Sequence, residues 1–178
     1  MAVELKVPVL QIVGYQNSGK TTLVKKIIEQ LSDSGLRVGT IKHHGHGGFP
    51  DVNDGDKDTD KHRQAGSTVT AVEGAGMLHI QAYNSDGWSL ESMVSFYNML
   101  PIDIIIIEGF KNEGFPKIVL IRTEEDEVLL ELLDNIQALI YWYEPYNKKI
   151  GIPSFYINDE CTYLSWVRTY FERIDSFE

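Results

Sequence analysis

The spacing of apolar residues changes repeatedly along the chain, and each change marks an element. Val7 to Val13 is almost continuously apolar and predicts a buried strand. Beyond a glycine-bounded gap, Val24, Ile27, Ile28 and Leu31 fall at helical spacing, with Lys25, Lys26, Glu29 and Gln30 opposite. The polar stretch Ser32 to Gly35 ends that helix. Leu36 to Lys42 alternates and predicts a second strand, and Lys57 to Gly66 a short helix. Val69–Val72 and Met77–Ala82 predict two strands joined through Glu73-Gly74-Ala75-Gly76. Leu90, Met93, Val94 and Tyr97 mark a helix closed by Leu100-Pro101. Ile102 to Ile107 is β-branched apart from Asp103, as expected of a parallel strand buried on both faces. Lys117–Arg122, Ile136–Tyr143 and Ile152–Ile157 complete the strands. Asp159 starts a last helix whose Tyr163, Trp166, Val167, Tyr170 and Phe171 form a core stripe. Strands alternating with helices predict a three-layer α/β domain with a mainly parallel sheet. The length fits one domain spanning 1–178.

The gap after the first strand changes this picture from architecture to chemistry. Gly14-Tyr15-Gln16-Asn17-Ser18-Gly19-Lys20-Thr21-Thr22 fits the phosphate-loop pattern, and it lies between a strand and a helix as that pattern requires. Gly14 and Gly19 let the loop curl, so that backbone N–H groups around Gln16, Asn17 and Ser18 turn inward to a polyphosphate. The helix start adds partial positive charge. Lys20 is expected to reach the outer phosphates and Thr21 to ligate Mg²⁺, with Thr22 supporting the loop. The prediction is a three-layer phosphate-loop nucleotide-binding domain.

Composition narrows the partners. A net charge of -10 and a pI near 4.9 argue against nucleic acid and anionic membranes. Cys161 is the single cysteine, so a reducing compartment is compatible. Met1 to Lys6 has no signal-peptide pattern, and no apolar run reaches membrane-span length. A soluble cytoplasmic protein is expected.

Magnesium prefers oxygen ligands in a tight octahedron, so the loop needs a carboxylate from another strand. Glu108 ends the isoleucine run and is the expected partner. Asp103 begins that run, about 16 Å away at strand rise, and lies at the wrong end. Asp58 starts the short helix after a Gly/His/Asp-rich loop, where it serves either the γ-phosphate and its metal or the helix as a cap. Lys111 and Arg122 read as surface residues unless an anion faces them. His43, His44 and His46 lie together, a composition that suits nickel, zinc or copper but lacks a companion cysteine. Asn147-Lys148-Lys149-Ile150 has Ile where a guanine-reading loop carries Asp, so it reads as a surface loop.

With these residues assembled, the chain resembles the molybdopterin-guanine dinucleotide biosynthesis protein B family. The resemblance rests on Gly14 to Thr22, Ile41-Lys42-His43, His46 and Lys57-Asp58-Thr59 with His62-Arg63. It continues through Ala65-Gly66, Glu108-Gly109-Phe110-Lys111, Pro116-Lys117-Ile118 and Arg122. The family pattern has Arg where Lys61 stands and a denser histidine stretch. The resemblance implies a homodimeric GTP-binding protein with weak GTPase activity. It implies an adaptor that assists attachment of GMP to molybdopterin beside a separate guanylyltransferase. Carried over, Thr21, Asp58 and Glu108 become the magnesium set, with Lys20, Asp58 and Glu108 as the catalytic residues. Two rival readings are a nickel-delivery GTPase, motivated by the histidines, and an ATP-dependent enzyme of the dethiobiotin synthetase type.

Overall fold

The computed structural model describes residues 7–45, 58–144 and 151–175. Met1–Lys6, His46 to Lys57 and the Asn147–Ile150 loop lie outside the described residues. The elements run in the order β1 (Val9–Val13), α1 (Lys20–Asp33), β2 (Val38–Lys42), α2 (Asp58–Gln64), β3 (Val69–Gly74), β4 (Met77–Ala82), α3 (Leu90–Tyr97) and β5 (Ile104–Glu108). They continue with β6 (Lys117–Ile121), a 3₁₀ turn (Glu124–Val128), α4 (Leu129–Leu132), β7 (Ile136–Tyr141), β8 (Ser154–Tyr156) and α5 (Glu160–Asp175).

These fall into two compact units, residues 1–43 with 90–178, and residues 44–89. The first carries a six-stranded sheet in the order β2-β5-β1-β6-β7-β8. Every pairing in it is parallel. The fold is the predicted α/β class with a parallel sheet.

Strand alternation divides the core. Leu10, Ile12, Ile104, Ile106, Ile118, Leu120 and Ile140 face one side, where Leu23, Ile27 and Leu31 of α1 and Tyr163, Val167 and Phe171 of α5 cover them. Val9, Ile105 and Ile107 face the other side and pack on Leu90 and Val94 of α3. Val13, Val119, Ile121 and Leu139 do the same with Leu129 of α4. The aromatic stripe of the last helix is core, as expected. Each fully buried isoleucine stabilises the fold by roughly 1.5–3 kcal/mol.

The second unit holds α2 and the β3–β4 hairpin. Its strands pair from Val69↔Ala82 to Gly74↔Met77, leaving Ala75-Gly76 as a two-residue turn. Both turn residues have positive φ, 52° and 81°, as a hairpin twisted in the right-handed sense demands.

Candidate functional site

In a parallel sheet the strands all end on one edge, and ligands bind beyond that edge. Here β1 runs into the glycine loop, β5 ends at Glu108, β2 at Lys42, β6 leads to Arg122 and β7 to Trp142. Five separate stretches of sequence therefore deliver polar side chains to the same edge.

The loop is tightly curled. Gly14 and Gly19 have φ of 154° and 90°, and Asn17 has 59°. A Cβ on Gly14 would lie 2.6 Å from Ser18 Oγ and 2.9 Å from the Leu120 carbonyl, so the loop closes only around glycine. α1 begins with no side-chain cap and no acid in its first turn, which leaves its N–H groups directed at an incoming anion. Ser18 is buried, and among the described residues its hydroxyl finds no hydrogen-bond partner. Gln16, Asn17, Thr21 and Thr22 are exposed.

The loop is fastened from outside. Arg122 donates to the Asn17 carbonyl at 2.9 Å, and the Trp142 indole N–H donates to the Ser18 carbonyl at 2.9 Å. The Arg122 guanidinium lies 5.4 Å from the Trp142 ring centre, a cation–π pair. These contacts tie up carbonyls on the loop's outer side. On its other flank Lys111 lies 4.9 Å from the Tyr15 ring centre. Arg122 and Lys111, read from sequence as surface residues unless an anion faces them, are both engaged with the loop.

Charge concentrates at Glu108. The Thr21 hydroxyl donates to Glu108 Oε1 at 2.7 Å, and Lys42 Nζ lies 2.9 Å from the same oxygen. The carboxylate side chain is 11% exposed. Lys20 folds back on the loop, donating to the carbonyls of Gly14 at 3.0 Å and Tyr15 at 2.6 Å. Burial lowers the Lys20 pKa below the usual lysine value; Glu108 opposes this and the Lys42 charge adds to it. The Glu108 backbone is fixed by its pairing with β1 and β2, and its carbonyl accepts from the His43 N–H at 3.0 Å. Behind it, Gln11 is fully buried and its amide donates to the carbonyls of Gly109 and Phe110 at 3.0 and 2.8 Å. That holds a turn in which both residues have positive φ, 92° and 54°.

The structure thus brings Lys20, Thr21 and Glu108 together. Asp58 belongs to the 44–89 unit, where it opens α2 and pairs with Lys61 at 3.0 Å. Asp103 sits at the opposite edge of the sheet, bound to Arg37, as strand rise predicted. His43 packs on Phe110 with ring centres 4.7 Å apart. Among the described residues no three or more His, Cys, Asp or Glu side chains gather as a metal site, and His46 lies outside them. Sequence reasoning missed Lys42, Gln11 and Trp142 as parts of the site. Only the β2–β5 register, which opposes Lys42 to Glu108, exposes the first of these.

The oxygen pair fits a magnesium ion. Two ligands at 2.0–2.1 Å and a right angle lie about 2.9 Å apart, close to the Thr21–Glu108 spacing. Both are hard oxygen donors, the type the ion prefers.

Fold and loop together define a class: parallel α/β proteins that present a glycine loop at the carboxyl edge of the sheet, backed by a strand-terminal acid. Comparison with known proteins gives the family. The profile of MobB, molybdopterin guanine dinucleotide synthesis protein B, matches residues 9–142, and the chain belongs to that family. It is 42% identical over 160 residues to a Bacillus subtilis (strain 168) protein named as a probable molybdopterin-guanine dinucleotide biosynthesis adapter protein. That match covers 89% of this chain and 91% of the relative. The crystal structure of Bacillus subtilis MobB matches with a TM-score of 0.76 at 39% identity, covering 91% of this chain and 96% of that one. A MobB homolog from Bacillus stearothermophilus matches with a TM-score of 0.74 at 36% identity, covering 93% and 98%. No helix among the described residues is long and apolar enough to cross a membrane.

Proposed function

We propose that this chain binds GTP with Mg²⁺ on its glycine loop and acts as an adaptor in molybdopterin guanine dinucleotide biosynthesis. The observation that carries the nucleotide part is the Thr21 hydroxyl bonded to a nearly buried Glu108 beside an uncapped helix start. In this reading the loop N–H groups of residues 14–19 bind the phosphates. Lys20 leaves its two carbonyls for the outer phosphates. Thr21 and Glu108 hold the metal, and Asp58 joins them as the third member of the set. The bound Mg²⁺ supplies charge neutralisation of the polyphosphate.

Hydrolysis by the isolated protein is slow in this reading. Among the described residues Gln11 is locked on backbone carbonyls and Arg122 on the loop, so neither is poised to orient water or stabilise a leaving phosphate. The adaptor part is supported by the names of the relatives. Its partners would be a molybdopterin guanylyltransferase and a second copy of the chain. Exposed Val69, Val72, Met77, Leu78 and Ile80 on the hairpin support the homodimer.

Calorimetry with GTP and ATP, each with Mg²⁺ and with chelator, tests the binding reading. GTP is expected to bind, more tightly with Mg²⁺ than without. Glu108→Gln and Asp58→Asn are expected to weaken the Mg²⁺-dependent affinity more than the metal-free one. Equal losses under both conditions would refute the metal role. No loss at Asp58→Asn would return that residue to capping its helix, a task Asn performs nearly as well.

A further inference from the structure

Lys42 and Glu108 are register partners on adjacent strands, and both side chains lie on the face covered by α1. The Lys42 ammonium lies 2.9 Å from Glu108 Oε1 and 3.4 Å from Thr21 Oγ1. Those oxygens are the pair assigned above to a divalent ion. A single positive charge therefore stands where a double one is to bind. Two cations on one carboxylate oxygen repel strongly in a partly desolvated site, so their occupancies compete.

The two partners differ in freedom. Glu108 is 11% exposed and its backbone is pinned on both sides, whereas the Lys42 side chain is 61% exposed. The carboxylate stays while the ammonium can swing away. The pair is not needed to join the strands either, because β2 and β5 already match over five register positions.

We propose that Lys42 is an exchangeable counter-ion of Glu108. It excludes a bare divalent cation from the nucleotide-free protein and yields to a metal that arrives on a polyphosphate. The polyphosphate matters because its negative charge offers the displaced ammonium a new partner. The inference rests on the nucleotide reading above and adds an order to it: metal and nucleotide enter together.

The test is Mn²⁺ titration of the nucleotide-free protein, read by electron paramagnetic resonance. Lys42→Met keeps the stem and removes the charge, and it is expected to tighten Mn²⁺ binding by roughly tenfold, the scale of a charge-assisted contact. Lys42→Arg should behave as wild type, and Lys42→Met with Glu108→Gln should lose the gain. Mn²⁺ affinity in Lys42→Met equal to or weaker than wild type would overturn the proposal. A second measurement on wild type guards against misfolding of the variant. A non-hydrolysable GTP analogue should raise Mn²⁺ affinity at least tenfold, and an unchanged affinity in the presence of bound analogue would also overturn it. Failure of wild type to bind the analogue, with the Lys42→Met gain intact, would overturn the nucleotide reading and support the competition at Glu108.

Discussion

The two edges of the parallel sheet handle charge in opposite ways. At the amino edge Arg37, Asp103 and Lys117 each have settled partners. Arg37 grips both oxygens of Asp103 at 2.9 and 2.7 Å, and its backbone N–H adds a third contact at 2.7 Å. Lys117, almost wholly buried, donates to the carbonyls of Glu113 and Asp134, both at 2.7 Å. At the carboxyl edge, Lys20 rests on carbonyls of its own loop, and Lys42 shares one carboxylate oxygen with Thr21. Burial lowers the pKa of both Lys20 and Lys117, so desolvation alone does not separate the edges. Accessibility does: an anion can reach Lys20 beside an open helix start, whereas nothing reaches Lys117. One edge uses ions as rivets, and the other holds them in reserve.

The largest effect should come from breaking a rivet. Lys117→Met keeps the apolar stem and takes the charged donor from the carbonyls of Glu113 and Asp134, so it should cost about 2–4 kcal/mol of stability. Urea unfolding measures this. Nucleotide affinity of the protein that remains folded should not change. A stability loss below that range would show that the amino edge is as loosely tied as the other.

Next comes the reserve. Lys20→Ala should lower triphosphate affinity by about tenfold or more, equivalent to roughly 1.5–3 kcal/mol for a lost charge-assisted contact. Its unfolding midpoint should stay near wild type, because the ammonium leaves only loop carbonyls close to solvent. Unchanged affinity in folded Lys20→Ala would remove the loop from the binding site.

Much of this contrast could be read in advance, and the reasons differ by residue. Glu108 was legible because an acid directly after an isoleucine run must sit at the strand's carboxyl end. Asp103 was legible for the same reason in reverse. Lys117 was not: in sequence it is only the first residue of a further strand, and its burial depends on loops preceding β6 and β7. Trp142 was hidden by distance along the chain, since it meets Ser18 across 124 positions. Lys42 entered the reading only within a motif, because its role depends on which strand lies next to β2. Element ends were legible to within two residues or so. The β1 and β2 strands begin at Val9 and Val38, rather than at Val7 and Leu36, because an apolar run does not say where ladder pairing starts.

The smallest effect belongs to the exposed pair of the amino edge. Arg37 holds the Asp103 pKa down to about 2, through its side-chain and backbone hydrogen bonds. A depressed carboxylate stabilises the fold above its unfolded pKa, about 3.9, and loses that contribution as pH falls through its folded value. Wild type should therefore lose slightly more stability between about pH 4 and pH 2 than Asp103→Asn does. Parallel acid limbs in urea midpoints measured over that window would show that the rivet carries no measurable share.

Gln11 has a consequence for rates. By clamping the carbonyls of Gly109 and Phe110 from inside the sheet, it restrains the turn behind Glu108, so nucleotide binding as proposed should need little backbone movement there. Association then waits on diffusion and on the reorientation of two lysine side chains, which takes picoseconds to nanoseconds. Differences in affinity among nucleotides should accordingly appear in how long each one stays, while their arrival rates remain alike.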